Sequence, residues 1–172
     1  MHFALIDTIL ERTPQRVRAI KQVTLAEEYL QDHFPTFHVL PGVFMLEALV
    51  QSARALLEAQ GHPRMVLGGV RAMRYGTFVR PGDALEVEVT LEKTQPDGTF
   101  VFKGVGTVRR FAAPAAGAGG PDGPGGAPSA PATPPEPETA VSGRFTMRPL
   151  RVPALTPAPA PAASAAMETP VG

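Results

Sequence analysis

The chain has no cysteine and no tryptophan among its 172 residues, and its 16 basic side chains balance 16 acidic ones. Without cysteine there is no disulfide framework, no thiolate metal centre and no cysteine nucleophile. A net charge of zero supplies no basic footprint for nucleic-acid phosphates or anionic lipid, so neither partner is expected. No apolar run reaches the ~18 residues that span a bilayer. The opening Met1-His2-Phe3-Ala4-Leu5-Ile6-Asp7 lacks the basic flank and long apolar stretch of a secretory leader. The expectation is therefore a soluble, cytoplasmic protein.

Proline and glycine are abundant, with 20 and 17 residues, and they are unevenly spread. Residues 1–111 read as an ordinary globular domain. Residues 112–140 are almost entirely Ala, Gly and Pro and hold no large apolar side chain to offset ordering entropy, which predicts disorder. Residues 141–150 alternate again, as a strand does. Residues 151–172 return to Pro and Ala and predict a second disordered segment. A strand between two such stretches is most simply the last strand of the first unit. Residues 112–140 then form a long hairpin insertion, which closure entropy tolerates because each doubling of a loop costs only about 0.6 kcal/mol.

Within the first unit, residues 3–12 suggest a short helix or turn, and residues 16–25 a strand. Residues 66–75 read as a strand and 99–110 as another. Residues 84–93 alternate cleanly: Leu85, Val87, Val89 and Leu91 share one face, and Glu86, Glu88, Thr90 and Glu92 the other. Arg80-Pro81-Gly82-Asp83 and Pro96-Asp97-Gly98 are turns. Residues 43–59 predict the main helix. Pro41 suits its first turn, and Gly61 its end. The helix begins Val43-Phe44-Met45-Leu46, apolar on every side, which predicts burial all round. One buried helix among antiparallel strands is an α+β pattern, and a sheet wrapped around one helix is the hotdog arrangement.

Glu47 is the one charge in the apolar half of that helix. A buried, unpartnered carboxylate is costly and takes up a proton, and a protonated carboxyl can act as a general acid. His33, in Asp32-His33-Phe34-Pro35, is suited to act as a base near neutral pH. Gly42, at the helix start, offers a closely approachable N–H to a developing oxyanion. Each has a plainer reading: a solvent-facing or ion-paired Glu47, and a loop His33 bonded to backbone.

The segment His33-Phe34-Pro35-Thr36-Phe37-His38-Val39-Leu40-Pro41-Gly42-Val43-Phe44-Met45-Leu46-Glu47-Ala48-Leu49-Val50-Gln51 resembles the active-site segment of 3-hydroxyacyl-acyl carrier protein dehydratases of the FabZ type. That family reads His-Phe-Pro-Gly-x-Pro-Val-Met-Pro-Gly-Val-x-x-x-Glu-Ala-x-x-Gln. The resemblance extends upstream through Arg18-Ala19-Ile20-Lys21-Gln22-Val23-Thr24 and downstream through Arg80-Pro81-Gly82-Asp83. It implies dehydration of a (3R)-hydroxyacyl thioester on acyl carrier protein to the trans-2-enoyl thioester, without cofactor or metal. His33 would take the α-proton, the Gly42 N–H would hold the thioester oxygen, Glu47 would protonate the departing hydroxyl and Gln51 would orient Glu47. It also implies a homodimer whose sites each draw His33 and Glu47 from opposite subunits.

The departures are local. The family's Gly before His is Asp32, its next Gly is Thr36, and its Pro is His38. Its basic Phe-Arg-Arg-Pro-Val stretch appears as Tyr75-Gly76-Thr77-Phe78-Val79, with Arg71, Arg74 and Arg80 close by. A non-catalytic acyl-binding or partner subunit, and a hotdog thioesterase, are the competing functions.

Overall fold

A computed structural model describes residues 3–110 and 137–151. One six-stranded antiparallel sheet packs against one long helix, a hotdog fold. In chain order the strands are β1 (Thr8–Arg12), β2 (Arg16–Gln22), β3 (Met65–Tyr75), β4 (Ala84–Thr94), β5 (Phe100–Arg109) and β6 (Glu138–Pro149). Helix α1 runs from Gly42 to Ala59. The lateral order is β1-β2-β4-β5-β6-β3, so β1 and β3 are the free edges.

The alternation in β4 becomes sidedness. Leu85, Val87 and Val89 face the helix and are fully buried. On the outer face Glu86 is bridged by Arg18 of β2 and Arg109 of β5, and Arg16 approaches Glu88 at 3.6 Å. Helix α1 answers with Leu49, Ala53, Leu56 and Leu57, all buried. It ends as glycine and hydrogen bonding dictate: Gly61 takes φ +84°, the Gly61 N–H donates to Glu58 O, and the His62 N–H donates to Leu57 O.

Three expectations change. Residues 8–12 are a strand, not a helix or turn: β1 is held by pairing with β2 across Thr8↔Ile20 to Arg12↔Val17. The apolar start of α1 is not buried all round, because the sheet covers only one side of it; Val43 is 66% exposed and Phe44 and Leu46 are half-buried. The strand expected from residue 141 begins at Glu138, and Ala140 is fully buried. The expectations for residues 112–136 and 152–172 lie outside the described residues.

The Tyr29 ring packs edge-on against Phe44, with centroids 4.6 Å apart, and its buried hydroxyl makes no hydrogen bond of good geometry among the described residues, although the Glu27 carboxylate lies near it. Burial, then the negative charge of Glu27, raises its pKa. An unmade buried hydrogen bond is a cost rather than a gain. Tyr29→Phe is therefore expected to leave stability unchanged or raise it by up to ~1 kcal/mol in urea unfolding. The sign with pH follows from the raised pKa: the neutral phenol's contribution is complete below about pH 10 and is lost as pH climbs above it. The Phe variant should show a smaller loss of stability above that pH.

Candidate active site

The loop before α1 is closed on itself. His33 N–H donates to Leu30 O, Val39 N–H donates to His33 O, and Phe34 and Phe37 exchange backbone bonds. Two imidazoles complete it. The Nδ1 of His33 lies 3.0 Å from Val39 O, and the Nδ1 of His38 lies 2.7 Å from Leu30 O. A carbonyl can only accept, so each Nδ1 carries the hydrogen. In neutral His33 the Nε2 is then the free base. His38, standing where the resembled family has Pro, therefore ties the loop down by a hydrogen bond instead.

His33 and Gly42 line one apolar cavity of about 260 Å³, with Phe34, Met45, Tyr75 and Phe78. Gly42 keeps this wall tight. A Cβ at this position would stand 3.0 Å from the Tyr75 ring. Its N–H opens the helix and has no acceptor among the described residues, as the first turn of a helix leaves it. Gly76 is required for a different reason: a Cβ there would meet Thr139 O at 2.4 Å. The Gly76 and Thr77 N–H groups donate to Ala140 O and Thr139 O, fastening the cavity wall to β6.

Glu47 does not join this cavity. It is a half-buried residue, with its side chain 37% exposed, and not the buried carboxylate that the apolar run suggested. The Nε2 of Gln51 donates to its Oε1 at 3.2 Å, and Arg54 approaches at 3.9 Å. Gln51 also holds the start of the chain: its Oε1 accepts from Leu5 N–H and its Nε2 donates to Phe3 O. Helical geometry explains the separation. At ~100° per residue, Glu47 points about 140° away from Gly42 around the axis.

The structure thus brings His33 to Gly42 and Gln51 to Glu47, as two halves. Sequence reasoning missed Tyr75, Gly76 and Phe78 as cavity residues. Their only signal was the departure from the family's Phe-Arg-Arg-Pro-Val. Among the described residues no group of three or more His, Asp or Glu is placed to hold a metal ion.

Comparison with known proteins gives consistent results. The family model described as ApeI dehydratase matches residues 10–112. A FabZ 3-hydroxyacyl-[acyl-carrier-protein] dehydratase of Latilactobacillus sakei is 44% identical over 109 residues, covering 60% of this chain and 76% of that protein. One from Anaeromyxobacter is 42% identical over 114 residues, covering 62% and 71%. One from Pseudothermotoga lettingae is 39% identical over 90 residues, and the chain spans 64% of its length. Among solved structures, the dehydratase heterocomplex ApeI:P of Xenorhabdus doucetiae superposes with TM-score 0.52 at 13% identity, over 82% of this chain and 94% of that one. A hypothetical thioesterase of Streptococcus pneumoniae superposes with TM-score 0.54 at 14% identity, over 86% and 97%. At these identities the structural likeness speaks for the fold.

Proposed function

The chain belongs to the ApeI-like dehydratase family, and from that membership we infer that it removes water from 3-hydroxyacyl groups carried on acyl carrier protein, in fatty-acid or related synthesis. The observation that carries the reading is the pairing of a base with an oxyanion donor in one apolar cavity. His33 has its Nδ1 tied to Val39 O and its Nε2 free, and the unused Gly42 N–H lies beside it. Nε2 takes the proton from the carbon next to the thioester carbonyl, and the Gly42 N–H receives the charge that develops on oxygen. Glu47 acts as the acid that gives a proton to the 3-hydroxyl as the C–O bond breaks. The products are water and the trans-2-enoyl thioester. Gln51 fixes the Glu47 carboxyl through the 3.2 Å hydrogen bond.

Because Glu47 points away from the cavity of its own protomer, a second copy of the chain supplies it. Two features support a homodimer with shared sites. Strand β3 is a free edge. The cavity is lined by exposed apolar side chains, Phe34, Tyr75 and Phe78, and the exposed Val43 follows Gly42 in the chain. A grouped apolar surface of this kind marks an interaction face.

The test of the activity is direct: enoyl-thioester absorbance should rise when the purified protein meets a 3-hydroxyacyl-carrier-protein substrate. Failure across a range of chain lengths, from a folded dimer, would favour the non-catalytic acyl-binding reading. Carrier recognition has a separate expectation. Arg74 and Arg80 are exposed and flank the cavity segment 75–79, and the Arg80 guanidinium lies 4.7 Å above the Phe37 ring. Reversing both charges, with Arg74→Glu and Arg80→Glu, should raise KM for the carrier-protein substrate by about tenfold, or ~1.4 kcal/mol. KM for a short pantetheine thioester, which has no acidic carrier, should stay within twofold of the parent. Equal effects on both substrates would remove these arginines from carrier docking.

A further inference from the structure

Tyr75 is the last residue of β3, 52% exposed, and it lies in the wall of the His33 cavity. Its ring is packed against the start of α1. Ring carbon Cε1 stands 3.0 Å from where a Cβ on Gly42 would be, and Cζ, which bears the hydroxyl, stands 3.4 Å from the same point. The Tyr75 hydroxyl has no hydrogen-bond partner among the described residues. The Gly42 N–H also has none. Two unused donors therefore belong to residues that line one cavity with the base.

We propose that the Tyr75 hydroxyl is a second hydrogen-bond donor to the thioester oxygen, forming with the Gly42 N–H a two-donor oxyanion site; this rests on the dehydratase reading above. An oxygen held 2.7–3.1 Å from an amide N–H is at normal oxyanion distance. The phenol carbon lies 3.4 Å from the Gly42 Cβ position, so its hydroxyl is one C–O bond beyond an atom already in contact with the helix start. The donor matters because charge grows on that oxygen as His33 removes the α-proton. A preorganised donor in an apolar cavity is strongest at that moment. The FabZ-type stretch resembled by residues 75–79 has Phe at this position, so the hydroxyl is this chain's own addition, on a ring the packing already needs.

The ring and the hydroxyl are separable by Tyr75→Phe, which keeps the contact with Gly42. If the hydroxyl donates to the thioester oxygen, kcat falls by about a hundredfold with KM within twofold, because the bond strengthens as charge develops. A second measurement does not depend on turnover. The carbonyl stretch of a bound enoyl thioester, read by difference infrared spectroscopy, should lie at higher frequency in the Phe variant than in the parent. Unchanged kcat and an unchanged carbonyl stretch would overturn the proposal and leave Tyr75 a packing residue. A parent that binds the enoyl thioester with a hydroxyl-dependent carbonyl shift, yet never dehydrates substrate, would defeat the dehydratase reading while keeping the hydroxyl contact.

Discussion

His33→Ala and Glu47→Gln should each lower kcat by about a thousandfold, and mixing the two inactive proteins should restore about a quarter of the parent activity. The first half follows from the roles assigned: loss of a positioned general base or acid costs on the order of 10²–10⁴ in rate. The Glu47 change is structurally mild: Glu47 is half-buried, and Gln retains an oxygen for the hydrogen bond from Gln51. Loss of His33 leaves the carbonyl of buried Val39 without its donor, at a cost of about 1–3 kcal/mol in stability, so the folded state of that variant is checked beside its activity. The second half tests where the two residues meet. After subunits exchange freely, about half of the dimers carry one copy of each variant. If a site takes His33 from one protomer and Glu47 from the other, each such dimer has one intact site and one doubly defective site. If both residues came from the same protomer, no site would be repaired and mixing would restore nothing. Helix geometry favours repair: Gly42 and Met45 line the cavity, while Glu47 is turned about 140–160° from them.

What the sequence revealed and what it hid have separate physical causes. β4 was legible because its two faces meet different media: Val87 and Val89 face the core, and Glu86 and Glu88 face arginines. The helix start was legible because Pro41 and Gly42 are local signals. β1 was illegible because it is an exposed edge strand: Ile9 and Leu10 are both exposed, so no alternation is imprinted on it. Its conformation comes from β2, through long-range pairing. Glu47 misled for a related reason. An apolar run announces that something covers it, but does not say whether that is its own sheet or a second chain. Val43 and Phe34 stay exposed on the described domain, as the dimer proposed above requires. Tyr75 against Gly42 joins residues 33 positions apart and leaves no local trace. The separation of ring from hydroxyl at Tyr75 is visible only once that contact is known.

Ending the chain at Arg110 should abolish folding, whereas replacing residues 112–137 with a four-residue turn should leave the melting temperature unchanged or a few degrees higher. β6 lies between β5 and β3, and among the described residues it is the only neighbour β3 has in the sheet. Without β6, β3 loses every ladder bond, and the Gly76 and Thr77 N–H groups lose Ala140 O and Thr139 O. The core also loses Ala140, Val141, Phe145 and Met147, all fully buried or nearly so. Removing one large aromatic side chain from a core costs about 3–5 kcal/mol. Phe145 and Met147 together therefore approach the ~5–15 kcal/mol by which a whole domain is stable. The segment between the strands is a different case. Its two ends are already adjacent: Val108 pairs with Glu138, and Arg110 forms an ion pair with Glu138. Residues 112–137 contain no large apolar side chain that a shortened chain would miss. Cutting the loop to four residues reduces closure entropy by about 2 kcal/mol at most. The discriminating measurement is thermal unfolding of both proteins beside the parent. A large fall in melting temperature for the short-turn protein would mean that the Ala, Gly and Pro segment packs on the domain, and the folded unit would then extend beyond the sheet and α1.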